Sequence, residues 1–148
     1  MRFNFRLESL LNLKRHEEEE KREKLVGIRR EMEREERRIE SLENRLLKLE
    51  DEFKSRMRDG MSGSEIKDFL AMKRALEYEI ESAKMRLEEI KRMEKEALEE
   101  FLEKRRERKA LEKLKERKWR EFLEEIDSRE RKILDEVAER KFWWGSNS

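Results

Sequence analysis

Few residues of this chain carry side chains that could perform chemistry, and their spacing does not assemble a reactive centre. His16 is the single histidine, and it precedes an acidic run at 17–20. A metal site needs several ligands that converge on one point, whereas a straight helix offers only those on one face. The sequence contains neither a phosphate-binding loop nor a nucleophile paired with a base. We therefore predict a non-enzymatic protein with no catalytic, cofactor-binding or metal-binding residues.

The composition excludes a layered globular core. Charged residues make up 53% of the chain and apolar residues 34%. Such a composition can indicate disorder, but 40 basic and 39 acidic groups interleave at helical spacing and proline is absent. Opposite charges three and four residues apart stabilise a helix. No cysteine is present, and no apolar run reaches the ~20 residues of a membrane-spanning helix. We expect a helical, cytoplasmic protein.

An apolar stripe that repeats every three and four residues predicts the helices that must position any binding residues. This spacing is typical of helices that supercoil around a partner. The stripe is interrupted at 58–64 and then resumes, so the same chain supplies the partner. The predicted fold is all-α, a long two-helix antiparallel coiled coil (a helical hairpin) with a C-terminal single-helix overhang. Its predicted core residues are Leu25, Ile28, Met32, Ile39, Leu42, Leu46, Leu49, Phe53, Phe69, Ile80, Leu87 and Ile90.

A single coiled-coil domain over 1–148 is predicted, with a first helix at 5–58, a hinge loop at 59–64 and a second helix at 64–142. The second helix overhangs from about 116, and a flexible tail follows at 143–148. Gly60 suits the left-handed conformation that ends a helix. Ser62, followed three residues later by Glu65, is a capping-box pattern for the second helix.

The pairing register follows from matching the interruptions of the two stripes. If Phe53 lies across from Phe69, the numbers of paired residues add up to 122 and Leu42 faces Ile80. Both stripes then turn polar at nearly the same height, and Leu11 meets Leu111 beyond that point. The acidic run at 17–20 lies opposite a basic run at 104–109. Exposed ion pairs stabilise weakly, so we expect them to fix the register more than the stability.

Apolar residues beyond the paired region predict a docking surface. The overhang and the N-terminal segment carry more apolar side chains than one seam can use, and exposed apolar surface of this extent marks an interaction site. Residues 101–120 add ten Lys or Arg against four Glu. Self-association, nucleic acid and, for the aromatic run at 142–144, a membrane surface are the competing partners. The predicted docking residues are Phe3, Phe5, Leu10, Trp119, Phe122, Leu123, Ile126, Ile133, Leu134 and Val137.

Three segments resemble the flagellar export protein family FliJ, of the bacterial type III export apparatus. They are the opening at 3–15, the basic stretch at 105–117 and the closing run at 130–140. With the hinge at mid-chain, the resemblance covers essentially the whole sequence. The aromatic pair Trp143 and Trp144 is not part of the family pattern as we recognise it.

The resemblance implies a stalk that inserts the end bearing both termini into a hexameric ATPase ring (FliI) and promotes ring assembly and ATP hydrolysis. It also implies contacts with the ATPase regulator (FliH), the export gate (FlhA) and export chaperones, which the family recycles. This places the protein in the cytoplasm, peripherally at the inner membrane at the flagellar base. The predicted docking residues would then meet the ring. A possible export-gate patch is formed by Leu70, Met72 and Leu76, for which simple widening of the core is an equal alternative.

The main alternative is a structural spacer or dimerising coiled coil without coupling to an ATPase. A general chaperone that holds unfolded clients is a further alternative, and nucleic-acid binding is another.

Overall fold

The structure, a computed structural model, describes residues 2–146, and only the backbone for 144–146. Two helices account for almost all of it: α1 at Glu8–Asp59 and α2 at Gly63–Ser146. No strand occurs within this described range. The all-α helical hairpin predicted from the sequence is confirmed.

The helix bounds differ from the predicted ones at both termini. Residues 2–7 are not helical, and a turn in which the Glu8 amide donates to the Phe5 carbonyl oxygen at 3.1 Å leads into α1. At the other terminus α2 continues to Ser146, through the first four residues of the predicted tail. Residues 147 and 148 of that tail lie outside the described part of the chain.

The loop between the helices uses a left-handed glycine and a serine cap. Gly60 has a φ of 95°, which a residue with a Cβ atom rarely adopts, and its amide donates to the Met57 carbonyl at 3.3 Å. The Ser62 hydroxyl accepts a hydrogen bond of 3.2 Å from the Glu65 amide. This bond satisfies one of the amides that the first turn of a helix leaves unpaired.

Packing separates the chain into two compact units. The hairpin unit is Glu19–Leu102, which contains the loop. The terminal unit is formed by Met1–Glu18 together with Glu103–Ser148. Both α1 and α2 contribute to each unit, so each contains an antiparallel helix pair.

The core of the hairpin unit consists of apolar layers between α1 and α2. Phe53 and Phe69 stack with ring centroids 3.8 Å apart, in the register that the sequence predicts. Two buried clusters continue along the seam. They contain Leu25, Ile28, Ile90 and Ala97, against which Met32, Leu98 and Phe101 pack, and Ile39, Leu42, Ile80 and Ala83, against which Leu46, Leu76 and Leu87 pack. Of the remaining predicted core residues, Leu49 is half-buried.

Ion pairs between the helices flank this apolar seam. The two residue numbers of a pair add up to between 117 and 127, on either side of the 122 of the aromatic stack. Exposed pairs contribute little stability individually, so their main effect is on register. The pairs are Lys21–Glu100, Arg29–Glu94, Glu31–Arg86, Glu43–Lys84 and Glu50–Lys73, at 3.0, 3.2, 2.7, 3.4 and 3.6 Å.

One carboxylate interrupts the seam. Glu35 stands three residues after Met32 and four before Ile39, and it is only 8% exposed. Its Oε1 accepts no hydrogen bond within the described residues, and Arg38 and Arg86 approach its two oxygens no closer than 3.9 and 4.0 Å. A buried polar group without a partner costs stability. Glu35 is therefore a weak point of an otherwise apolar seam.

Neither helix is suited to cross a bilayer, because no stretch within the described residues combines the necessary length with sufficient hydropathy.

Candidate functional site

The terminal unit holds most of the residues that the sequence nominates for docking. Leu11 is fully buried where α1 begins to pack on α2, and Phe5 is 8% exposed. Phe5 therefore contributes to the packing of the N-terminal segment, and a partner reaches it only if that segment moves. Phe3 is half-buried and Leu10 is 39% exposed.

An aromatic cluster joins the N-terminal segment to α2. The ring of Phe3 lies 5.1 Å from that of Trp119 and 5.4 Å from that of Phe122, and the last two rings are 5.8 Å apart. Aromatic pairs at such separations contribute about 0.5–1.5 kcal/mol each beyond their buried area. Beside the cluster, residues 2–7 and α2 line an open groove of about 510 Å³ with Lys118, Glu121 and Glu125 at its edge. The structure thus brings three of the predicted docking residues together.

A buried ion pair lies in the seam of the same unit. The Glu18 side chain is 6% exposed, and Arg108 donates to both of its oxygens, from Nε at 2.5 Å and from Nη2 at 3.1 Å. The remaining terminal nitrogen of Arg108 donates to Glu112 at 2.8 Å. This bidentate geometry satisfies the carboxylate that burial removes from water. Hydrogen bonding from Arg108 to Glu18 also raises the pKa of the guanidinium further above its ordinary value.

Four more charged side chains form a closed network next to this pair. Lys14 lies 2.9 Å from Glu107 and 3.4 Å from Glu17, while Lys104 lies 3.0 Å from Glu17 and 3.6 Å from Glu107. The hydrogen bond from Lys104 holds the pKa of Glu17 below its ordinary value, and the one from Lys14 does the same to the pKa of Glu107. The same bonds raise the pKa of both lysines.

The predicted opposition of an acidic and a basic run is observed, but the partners differ from the predicted ones. Glu18 was expected to face Lys104 and instead binds Arg108, one helical turn away, because a long arginine side chain reaches along the groove. The burial of Glu18 was also not predicted. A signal was available, since Glu18 lies seven residues from both Leu11 and Leu25 and so occupies a seam position.

The C-terminal part of α2 presents the other nominated docking residues to solvent. Every residue from 127 to 143 is exposed. Phe122 and Ile126 are half-buried. The exposed docking residues here are Trp119, Leu123, Ile133, Leu134 and Val137, at 43, 45, 59, 67 and 43%.

The nominated patch near the loop lies in the hairpin unit. Leu70 and Met72 are 42 and 57% exposed, whereas Leu76 packs on the buried core cluster around Leu42. Met72 also lines an open groove of about 250 Å³ beside the stacked rings of Phe53 and Phe69. The three residues therefore do not form one uniform surface.

No group of three His, Cys, Asp or Glu side chains in the described part of the chain is arranged to hold a metal ion.

Comparison with known proteins identifies the family. The family model described as Flagellar FliJ protein matches residues 3–146 of the 148. No curated protein and no solved structure matches the chain significantly. Because the family match covers nearly the whole chain, the chain belongs to the flagellar FliJ protein family.

Removing Arg108 should destabilise the terminal unit. Arg108→Ala removes the bidentate ion pair of the buried Glu18 carboxylate, so we expect the free energy of unfolding to fall by about 2 kcal/mol. The measurement is urea denaturation followed by circular dichroism. Arg105→Ala is the control, because Arg105 is exposed and forms no ion pair with a described residue.

The double variant Glu18→Leu/Arg108→Leu should recover the lost stability, because it continues the apolar stripe between Leu11 and Leu25. Equal effects of Arg108→Ala and Arg105→Ala would contradict a role for the buried pair.

The charged network should make stability depend on pH. The pKa of Glu17 is lowered in the fold from 4.5, so the stability it contributes is present above about pH 4.5 and is lost as the pH falls through the folded value. Glu17→Gln should therefore lower the melting temperature at pH 7 and lower it less at about pH 3, where part of the charge is lost. The exposed Glu23→Gln should have no effect at either pH. A Glu17→Gln effect that persists undiminished in acid would show that the carboxylate charge is not responsible.

Proposed function

We propose that this member of the flagellar FliJ protein family is a non-enzymatic stalk of the flagellar export apparatus. Family membership makes the chain a component of that apparatus. In the proposed role the terminal unit inserts into the export ATPase ring (FliI) and promotes ring assembly and ATP hydrolysis. The observation that carries the proposal is the apolar row on the C-terminal part of α2, which is exposed to solvent.

The residues of this apolar row have the spacing of a helix that packs against another structural element. Trp119, Ile126 and Ile133 recur every seven residues, and Val137 continues the same face. A helix of this composition gains most of its stability from packing an apolar face against another element. Within the described residues every side chain of α2 from 127 to 143 is exposed, so the apolar ones among them remain open to solvent. The ring would supply the missing apolar surface.

The aromatic cluster supports a docking role for the start of the row. Phe3 packs against Trp119 and Phe122 from the N-terminal segment, which restricts the rotamers open to these rings. Ordered aromatic side chains bind at a low cost in conformational entropy. We propose that Phe3, Leu10, Trp119 and Leu123 contact the ring, and that Phe5 shapes the surface from beneath.

The remaining contacts of the stalk belong to the same proposal. Leu70 and Met72, with Leu76 below them, would meet the export gate (FlhA), and the regulator (FliH) and the export chaperones would bind within the assembled complex. The protein would then lie in the cytoplasm, peripherally at the inner membrane.

Stimulation of the purified export ATPase tests the proposal. The full-length chain should raise ATP turnover and promote rings visible by electron microscopy. Ile133→Lys/Val137→Lys should raise the concentration needed for half-maximal stimulation about tenfold or more, because loss of an interface anchor costs ~1–2 kcal/mol. Both residues are exposed, so the fold should survive.

Tyr78→Lys/Met85→Lys is the matched control, since both residues are exposed apolar side chains of the hairpin unit, at 75 and 67%. It should stimulate like the natural chain. Absence of stimulation and of rings with the natural chain would refute the stalk. A stable dimer in sedimentation velocity that Ile133→Lys/Val137→Lys dissociates would then favour the dimerising spacer.

A further inference from the structure

A row of cations follows α2 of the terminal unit on the side away from α1. Its members are separated by three, four, four and three residues, a spacing that places them on one face of a helix. The opposite face of the same stretch carries the residues that bind α1, among them Lys104 and Arg108. All members of the row are exposed. The cation row consists of Arg106, Lys109, Lys113, Arg117 and Arg120.

Four of the five cations of the row have no acidic partner among the described residues. Arg106, Lys109, Lys113 and Arg117 form no ion pair with any residue in the described range, and Arg120 reaches Glu116 at 3.5 Å across an exposed surface. Like charges three or four residues apart destabilise a helix. The row therefore lowers the stability of α2, and its charges are left for a partner.

The opposite face of α2 shows what such a spacing binds. There Lys104 binds Glu17 at 3.0 Å, Arg108 binds Glu18, and Lys115 binds Glu8 at 2.8 Å. The acceptors all lie on one antiparallel helix, α1. One stretch of α2 thus already binds carboxylates of a helix on one face and carries further cations on the other.

We propose that the cation row is a docking surface for an acidic α-helix of a partner protein. The row extends over 15 residues, 106–120, and its ends are about 21 Å apart at the helical rise of ~1.5 Å per residue. A partner helix with carboxylates three and four residues apart would meet it along this length. The cation row shares no residue with the apolar row on the C-terminal part of α2. The inference is therefore independent of insertion into the ATPase ring.

The surroundings of the row favour an acidic helix over the other polyanions. A helix that lies on a membrane needs a wide apolar face, whereas Leu102 and Ala110 are the apolar residues nearest this row on its face. Nucleic acids present phosphates on both sides of such a row. Here Glu103, Glu116 and Glu121 border it and would repel them.

The test measures binding of a fluorescein-labelled helical peptide of ~20 residues to the full chain by fluorescence anisotropy. The peptide carries glutamates three and four residues apart, and its twin carries glutamines instead. The Glu peptide should bind about tenfold or more tightly than the Gln peptide, with an affinity that falls as salt rises. Lys109→Glu/Lys113→Glu/Arg117→Glu should abolish this difference, and the corresponding Gln triple variant should reduce it.

The matched control is Lys54→Glu/Lys67→Glu/Arg74→Glu, which changes the net charge equally at exposed cations of the hairpin unit that form no ion pair within the described residues. It should retain the preference for the Glu peptide. Equal binding of the two peptides, or equal loss in the control, would overturn the proposal. So would row-dependent binding of phosphatidylglycerol vesicles or duplex DNA without binding of the Glu peptide.

Discussion

The register between the two antiparallel helices is the constraint on which the rest of the structure depends. Apolar layers alone permit a shift by one heptad, because leucine packs on leucine in either register. The buried Glu18–Arg108 pair does not permit it, since a shift would place an unpaired charge in the seam. A pair of this kind adds little net stability compared with apolar residues, but it penalises every other alignment. The flanking ion pairs act in the same direction.

The register also determines which surfaces of α2 have no contact with α1. Glu8 lies against Lys115 and Phe3 against Trp119, whereas α2 continues to Ser146 beyond these contacts. The apolar row on that continuation and the cation row on the outer face of α2 are both consequences of this alignment. We propose an apolar partner for the first and an acidic one for the second. A stalk in a larger assembly would meet both.

The sequence was sufficient to predict the all-α helical hairpin and a register with Phe53 across from Phe69, because both follow from the spacing of the apolar residues. It was not sufficient to predict the burial of Glu18 and Glu35, two charged residues at seam positions that are otherwise apolar. The apolar and polar pattern shows both only as polar interruptions of the stripe. The three-dimensional packing shows that Arg108 donates to Glu18, whereas one oxygen of Glu35 accepts no hydrogen bond within the described residues. The first helix was predicted to begin at residue 5 and begins at Glu8, because helix propensity does not show that Phe3 contacts Trp119 and Phe122 on α2.

Zero-length carbodiimide crosslinking followed by mass spectrometry tests the register most directly, because it joins a lysine to a carboxylate only when the two are in contact. The natural monomer should yield the links Lys115–Glu8 and Lys104–Glu17 in the terminal unit, and Lys21–Glu100 and Lys73–Glu50 in the hairpin unit. Links displaced by seven residues, or links found only between two molecules, would contradict the alignment and with it the account of both exposed rows.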